Sequence, residues 1–458
     1  MHGQYFNQLG KHDESTQRKL LTKKQHMSSE RISIKKSIAL NAFSLMQGLI
    51  LAGLIWLPTG FEQIGSIQIL LLWLLPILWA ISKTRFQAAL VVFGYYLVVS
   101  RDVPAMSQSF TSLSLFHAWL LIFVYAGLIA ALWAVAWQKR PAYRVAGLCV
   151  VLLIMSVPPL GGYVVGSPFM STGILFPGWG FRGILATVVS WCVAIHLLKK
   201  NESPNLHAKR HCAVFMLIFG TVALNVNLTA KPQNPIAIKA VNTNFDRYPK
   251  NLEQSYQRQV QLSEIALKAI NTLYPVVALP EAVAGHWEPR MQWLWQDVAS
   301  QYKAVSKTLV LGVEVVANDK ATFTNTAKFM GQHTGEVHAR VPALVGSWHP
   351  WLIPHGPMRW FDTSAISIPN TKTDTINGKA QADRNDVAVF FCWEELVPWP
   401  WIWMGLQKSS QPTTALILVN HWFTKGLDVG DTQERSSRAW ARLFGWPVVR
   451  VVNASTSP

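Results

Sequence analysis

The sequence predicts two architectures in one chain: a multi-pass α-helical membrane domain, followed by a layered α/β domain. Three observations predict it. Apolar residues are segregated into the first half, in runs near the length that crosses a bilayer. Basic residues gather in every second loop between those runs. From about residue 235 the apolar runs shorten to strand length and alternate with stretches of helical spacing. The composition agrees, since half of the 458 residues are hydrophobic, only 14% are charged, and 21 are tryptophan. The formal charge of +17 fits loops and tails on the cytoplasmic face of a membrane. No nucleic-acid-binding motif accompanies it, so direct nucleic-acid binding is not expected.

Residues 1–36 are polar and basic (Lys19, Lys23, Lys24, Arg31, Lys35, Lys36) and read as a cytoplasmic tail. The transmembrane domain is expected over 37–230, with about seven spans near 37–57, 64–82, 86–100, 113–137, 145–165, 183–198 and 212–228. Lys83 and Arg85, then Lys139, Arg140 and Arg144, then Lys199, Lys200, Lys209 and Arg210 fall in loops on the same side as the basic tail. The opposite loops carry little: Arg101 is offset by Asp102, and Arg182 stands alone. This bias puts the N-terminus in the cytoplasm and everything after residue 228 outside. The first span lies too far from the N-terminus for a typical signal peptide. The stretch 161–182, rich in glycine, proline and aromatics, reads either as an aromatic-belt connector or as part of a lipid-facing mouth.

The α/β domain is expected over 231–458. Strands are predicted at 236–241, 276–279, 308–316, 386–391, 415–419 and 448–452, with a hairpin of 322–330 and 336–341. Helices are predicted at 251–273, 292–306 and 432–444. The polar stretch 370–384 has no apolar period and reads as a flexible loop.

Two strand ends carry reactive groups: Glu281 follows 276–279, and Cys392 follows 386–391. The other cysteines, Cys149, Cys192 and Cys212, lie in apolar segments of the first half, so Cys392 has no disulfide partner near it in sequence. A free cysteine is most often a small buried hydrophobe, and a lone carboxylate after a strand is as often solvated as catalytic. Taken together, the two suggest more. A carboxylate near a thiol can act as its general base, and the thiolate can then attack an acyl carbon to form a thioester. Arg340, at the end of the hairpin, is the candidate cation for the oxyanion, although a surface ion pair is its commoner use. Glu394 reads as a charge at a helix start or a support for the site.

The order Pro280-Glu281, a basic residue after a hairpin, then Cys392-Trp393-Glu394 resembles the nitrilase (carbon–nitrogen hydrolase) superfamily, which uses a Glu-Lys-Cys triad. With preceding membrane spans it looks like the branch of apolipoprotein N-acyltransferase. Ala278-Leu279-Pro280-Glu281, Phe391-Cys392-Trp393-Glu394, Val419-Asn420-His421-Trp422-Phe423 and the closing stretch from Arg438 to Asn453 are similar to motifs of that family. The resemblance implies an αββα sandwich with Glu281, Arg340 and Cys392 as catalytic residues, supported by Trp393, Glu394 and Asn420. It also implies an acyl donor in membrane lipid and a lipoprotein as partner, with no cofactor and no metal.

Departures narrow the match. Arginine at 340 stands where the family has lysine, and arginine binds an oxyanion without giving up a proton. Lys328, on the preceding hairpin strand, is the alternative for that role. The chain stops at Pro458, which suggests a shortened sheet without a closing span. These departures, with the pattern from Arg340 to Trp351, look more like the TraB family of conjugal-transfer proteins. That resemblance implies conjugation-apparatus proteins as partners and a part in DNA transfer between bacteria, either by acyl transfer or amide hydrolysis, or as a catalytically weak or inactive structural component of the apparatus.

Overall fold

The structure is a computed structural model that describes residues 34–58, 62–111, 113–197, 236–316, 323–343, 358–363, 365–369, 374–376, 379–381, 384–407 and 412–454. The expected tail and the span expected at 212–228 lie outside these residues, apart from residues 34–36.

Among the described residues of the first half, two helices, Ile34–Trp56 and Leu115–Ala136, are long and apolar enough to cross a membrane. A third span is added if Arg85–Val99 and Val103–Phe110, which meet at 47°, are taken as one. The other apolar helices are shorter: Gly65–Ile81, Pro141–Ile154 and Phe181–Leu197. Outward faces of the two long helices carry Phe43, Ile50, Leu54, Phe116, Leu128 and Val135 exposed. A helix apolar all round suits a hydrocarbon surround. Between helices the core is aromatic: Trp79 donates from its indole to the Trp133 carbonyl at 2.9 Å, and Trp191 to the Trp73 carbonyl at 2.9 Å.

The second half is a sandwich of two mixed sheets. One runs β1 (Ile238–Ala240), β2 (Val276–Ala278), β3 (Thr308–Val316), β4 (Phe323–Gly331) and β5 (Gly335–His338), in that spatial order. β1 to β3 are parallel, and β4 and β5 return antiparallel. The other sheet combines β6 (Ala365–Pro369), β9 (Arg384–Phe391), β10 (Thr414–Asn420) and β11 (Val448–Asn453) in the order β11-β10-β9-β6. β9 to β11 are parallel, with β6 antiparallel on the edge. The stretch 370–384, expected as a loop, contains a small hairpin of β7 (Asp374–Ile376) and β8 (Lys379–Gln381), and its last residue opens β9.

Alternation along the strands accounts for the layers. Val276, Ala278, Val310, Val387, Val389, Leu416 and Leu418 meet between the sheets. The intervening Val277, Leu279, Leu309 and Leu311 face the helices Leu252–Ala269 and Pro289–Ala304. On the far side, Ala388, Phe390, Ala415 and Ile417 face the helices Pro398–Leu406 and Val429–Phe444. This is the αββα sandwich that the motifs imply.

The second helix layer also lies directly on the helices of the first half, and the two form one continuous core. The stretch 161–182 is where they meet. Residues 161–173 are buried, packed on the turn that follows β9, so most of it is neither a belt connector nor an open mouth. Its short helix Met170–Leu175 crosses Val429–Phe444 so closely that a Cβ on Gly173 would lie 1.9 Å from the Ala439 carbonyl oxygen.

Candidate functional site

Cys392 opens a 3-10 turn, Cys392–Glu395, immediately after β9. The sheet fixes the strand, and the turn swings the next residues across its end. Glu281 reaches the same place from β2. Its backbone passes over β3 at Gly312, where a Cβ would lie 2.0 Å from the Pro280 carbonyl oxygen, so only glycine admits the crossing. Behind it the buried Gln259 carboxamide takes a hydrogen bond from Trp295 at 2.9 Å and donates to the Tyr248 hydroxyl at 2.9 Å.

The structure brings Glu281 and Cys392 together. The Cys392 N–H donates to Glu281 Oε2 at 3.1 Å, and Asn325 Nδ2 donates to Oε1. Burial pushes the Glu281 carboxyl up to about 8, against the opposing pull of those two donors. Burial also pushes the Cys392 thiol well above its ordinary value, with the Glu281 and Glu395 charges adding to it. Gln433 works the other way: its Nε2 donates to Cys392 Sγ at 3.0 Å and to the Cys392 carbonyl at 2.9 Å. Its oxygen therefore faces His421, whose Nε2 donates to it at 2.5 Å. Burial first, then the Arg450 charge, lowers His421 to about 4, so this histidine is neutral and holds the amide in place.

Arg340 is not brought onto the thiol, and its expected role at the oxyanion does not match its contacts. Its Nη2 donates to Glu394 Oε2 at 2.8 Å and to the Val389 carbonyl at 3.0 Å. Its Nε donates to Glu394 Oε1 at 3.2 Å, and the guanidinium lies 4.9 Å from the Phe390 ring centre. Both partners of this pair are fully buried, and Nη1 has no hydrogen-bond partner among the described residues. Glu394 also accepts from the Arg340 and Phe391 backbone N–H groups at 2.7 and 3.3 Å. The pair therefore fixes the turn that carries Cys392.

Lys328, the alternative cation, is excluded by phase. Ala327 and Phe329 face the other sheet, so Lys328 points to the opposite face, where it pairs with Glu336 at 2.5 Å and lies over Trp287. Asn325 is in phase with Ala327, which is why it, and not the lysine, reaches Glu281. Among the described residues, Arg450 of β11 is a cation whose charge opposes the rise of the thiol, and it is held by Glu395 at 2.8 Å and Glu434 at 3.2 Å.

Trp393 donates from its indole to the Gly162 carbonyl at 2.9 Å, tying the turn to the first half. Asn420 accepts from Asn453 Nδ2 at 2.8 Å; none of its described hydrogen bonds reaches Cys392. Asn453 instead staples the sheets, accepting from Thr243 and from the Phe245 N–H at 2.7 Å each. Beside Glu281 lies a cleft of about 20 Å³ bounded by Asn325, Val341, Phe391 and Trp393, room for about one water. Among the described residues no cluster of His, Cys, Asp or Glu could hold a metal ion.

No protein-family model matches the chain. A probable conjugal transfer protein TraB of Sinorhizobium fredii is 27% identical over 82% of this chain and 90% of its own length. The conjugal transfer protein TraB of Agrobacterium fabrum is 26% identical over 83% of this chain and 86% of its own length. Among solved structures, an amidase from Nesterenkonia sp. aligns at 10% identity and a TM-score of 0.28, covering 50% of this chain and 79% of that one. A glutamine-dependent NAD+ synthetase from Acinetobacter baumannii aligns at 15% identity and 0.24, covering 40% and 32%. Across most of its length, then, the chain is similar to the conjugal transfer proteins TraB, the family its motifs resemble.

Proposed function

We propose that this chain acts in plasmid conjugal transfer as a bacterial inner-membrane protein, with its N-terminus cytoplasmic and its α/β domain periplasmic, and that Cys392 is an acyl-accepting nucleophile. Glu281 takes the thiol proton, and Sγ attacks the carbonyl of a phospholipid ester. The carbon–oxygen bond breaks, the proton passes to the leaving alcohol, and a thioester remains. An amine of a lipoprotein or of a conjugation-apparatus protein, or water, then takes the acyl group and restores the thiol. Amide hydrolysis uses the same atoms, with a carbon–nitrogen bond breaking first.

The observation that carries this reading is the buried Glu281 carboxyl bonded to the Cys392 N–H and pushed up to about 8. A base of that strength is matched to proton transfer near neutral pH. Arg340 and Glu394 hold the turn, and Gln433 orients the sulfur.

A second reading has its own support. The Arg340 guanidinium is taken up by Glu394, the thiol is pushed up by burial, and the cleft admits about one water. On that reading the domain is a catalytically inactive structural component of the apparatus. Plasmid mating with Cys392→Ala separates the two. Loss of transfer at normal membrane levels of the variant supports the nucleophile; undiminished transfer sinks it.

A further inference from the structure

The end of the helical half remote from the α/β domain holds a second cavity. It measures about 690 Å³ and is bounded by Lys83, Arg85, Lys139, Arg140, Phe86, Trp137 and Tyr143, among others. The helix Arg85–Val99 starts here and ends beside Arg101, which pairs with Asp428 of the α/β domain at 2.8 Å. The cavity thus lies about 22 Å from that junction, at 1.5 Å per residue.

Four cations converge on it, and none of its described lining residues is acidic. Residues 34–197 contain only Glu62 and Asp102 as acids, and Asp102 sits at the junction beside Arg101. Lys83, Lys139 and Arg140 are exposed. Two helices begin at the cavity, Arg85–Val99 behind its Thr84 cap and Pro141–Ile154 with proline in its first turn, so two sets of free N–H groups add positive potential. The rim is built rather than incidental. Arg85 donates to the Trp137 carbonyl at 3.1 Å and to Gln138 Oε1 at 3.1 Å. Arg144 donates to the Gln138 carbonyl at 2.8 Å and stacks 4.4 Å from the Trp137 ring centre. Phe86 and Tyr143 stand exposed beside the charges, at 60% and 58%.

We propose that this cavity binds the phosphate headgroup of an anionic membrane lipid, with the cations and helix starts on the phosphate and the aromatic rim against glycerol and acyl carbons. A free phosphate supplies the same charge but has no use for the apolar rim, and basic pockets between membrane helices on the cytoplasmic side suit anionic headgroups.

Native mass spectrometry of the full chain in detergent tests this, with phosphatidylglycerol, cardiolipin or phosphatidylcholine added. We expect one anionic lipid retained per chain, with phosphatidylcholine washed off. The triple variant Lys83→Gln/Lys139→Gln/Arg140→Gln should bind about a hundredfold more weakly, and Lys139→Gln alone about fivefold. Lys303→Gln, on the α/β domain, should change nothing. A thermal melt confirms that the variants fold; if the triple variant does not, Lys139→Gln decides. Equal retention of phosphatidylcholine, or undiminished binding by the folded variants, would overturn the proposal. Displacement of the lipid by millimolar inorganic phosphate would reassign the cavity to soluble anions.

Discussion

Glu281 and Cys392 owe their state to burial, and each has a measurable consequence. The Glu281 carboxyl is raised to about 8 by burial, far above the ordinary carboxylate range. The folded protein therefore binds this proton more tightly than the unfolded chain. The stabilisation is present below the ordinary pKa and is lost as pH rises through about 8. Glu281→Gln should accordingly lose less thermal stability than wild type between about pH 5 and about pH 9; parallel melting curves would contradict the assignment. If Glu281 is the base, thioester formation should rise with pH through the same value, because only the carboxylate accepts the thiol proton. Gln433→Leu removes the donor to Sγ and leaves the buried His421 N–H without its acceptor. We expect a loss of about 1–3 kcal/mol in chemical denaturation. Arg340→Met strands Glu394 in a fully buried position and should cost about 3–5 kcal/mol. The double variant Arg340→Met/Glu394→Leu should recover only part of it, since it removes the stranded charge but leaves the Arg340 and Phe391 N–H groups without their acceptor. No recovery at all would mean that the stranded charge is not the source of the loss.

At the scale of elements, strands buried on both faces leave a strong mark in sequence. The run ending at Cys392 and the expected strand at 308–316 correspond to β9 and β3. The end of β2 carrying Glu281 was legible for the same reason. β6 is an edge strand ending in proline, where proline is tolerated, and the helix Pro398–Leu406 opens on proline, whose fixed φ suits a first turn. Both are short, which is why neither shows a clear apolar period in sequence. The motifs fixed attention on residues near each other in sequence, but the polar partners of the site come from separate elements. Asn325 is on β4, Gln433 on the helix Val429–Phe444 and Arg450 on β11. Period-two phase was the available signal for Asn325 over Lys328; for Gln433 nothing local marks it. Gly312 is the element-scale weak point. Gly312→Val should displace the Pro280–Glu281 crossing and lose thioester formation while the helical half stays folded, read by activity together with protease mapping.

At the scale of the whole molecule, the helical half and the sandwich share a core, and the site's turn is bonded to both through Trp393. Arg435 extends the junction, donating to the Ile55 carbonyl at 2.8 Å, to Gln68 at 2.9 Å, and lying over the Trp56 ring. It thereby satisfies carbonyls left free at the end of the first long helix. Gly173→Leu should separate the halves by placing carbon where Ala439 already lies, at about 1–3 kcal/mol, and expose the junction to protease. The measurement closest to the central claim is the intact mass of the detergent-purified chain, wild type and Cys392→Ala, before and after incubation with phospholipid. The wild type should show a fatty-acyl mass gain that Cys392→Ala lacks. An unchanged wild-type mass, or the same gain in both proteins, would contradict it.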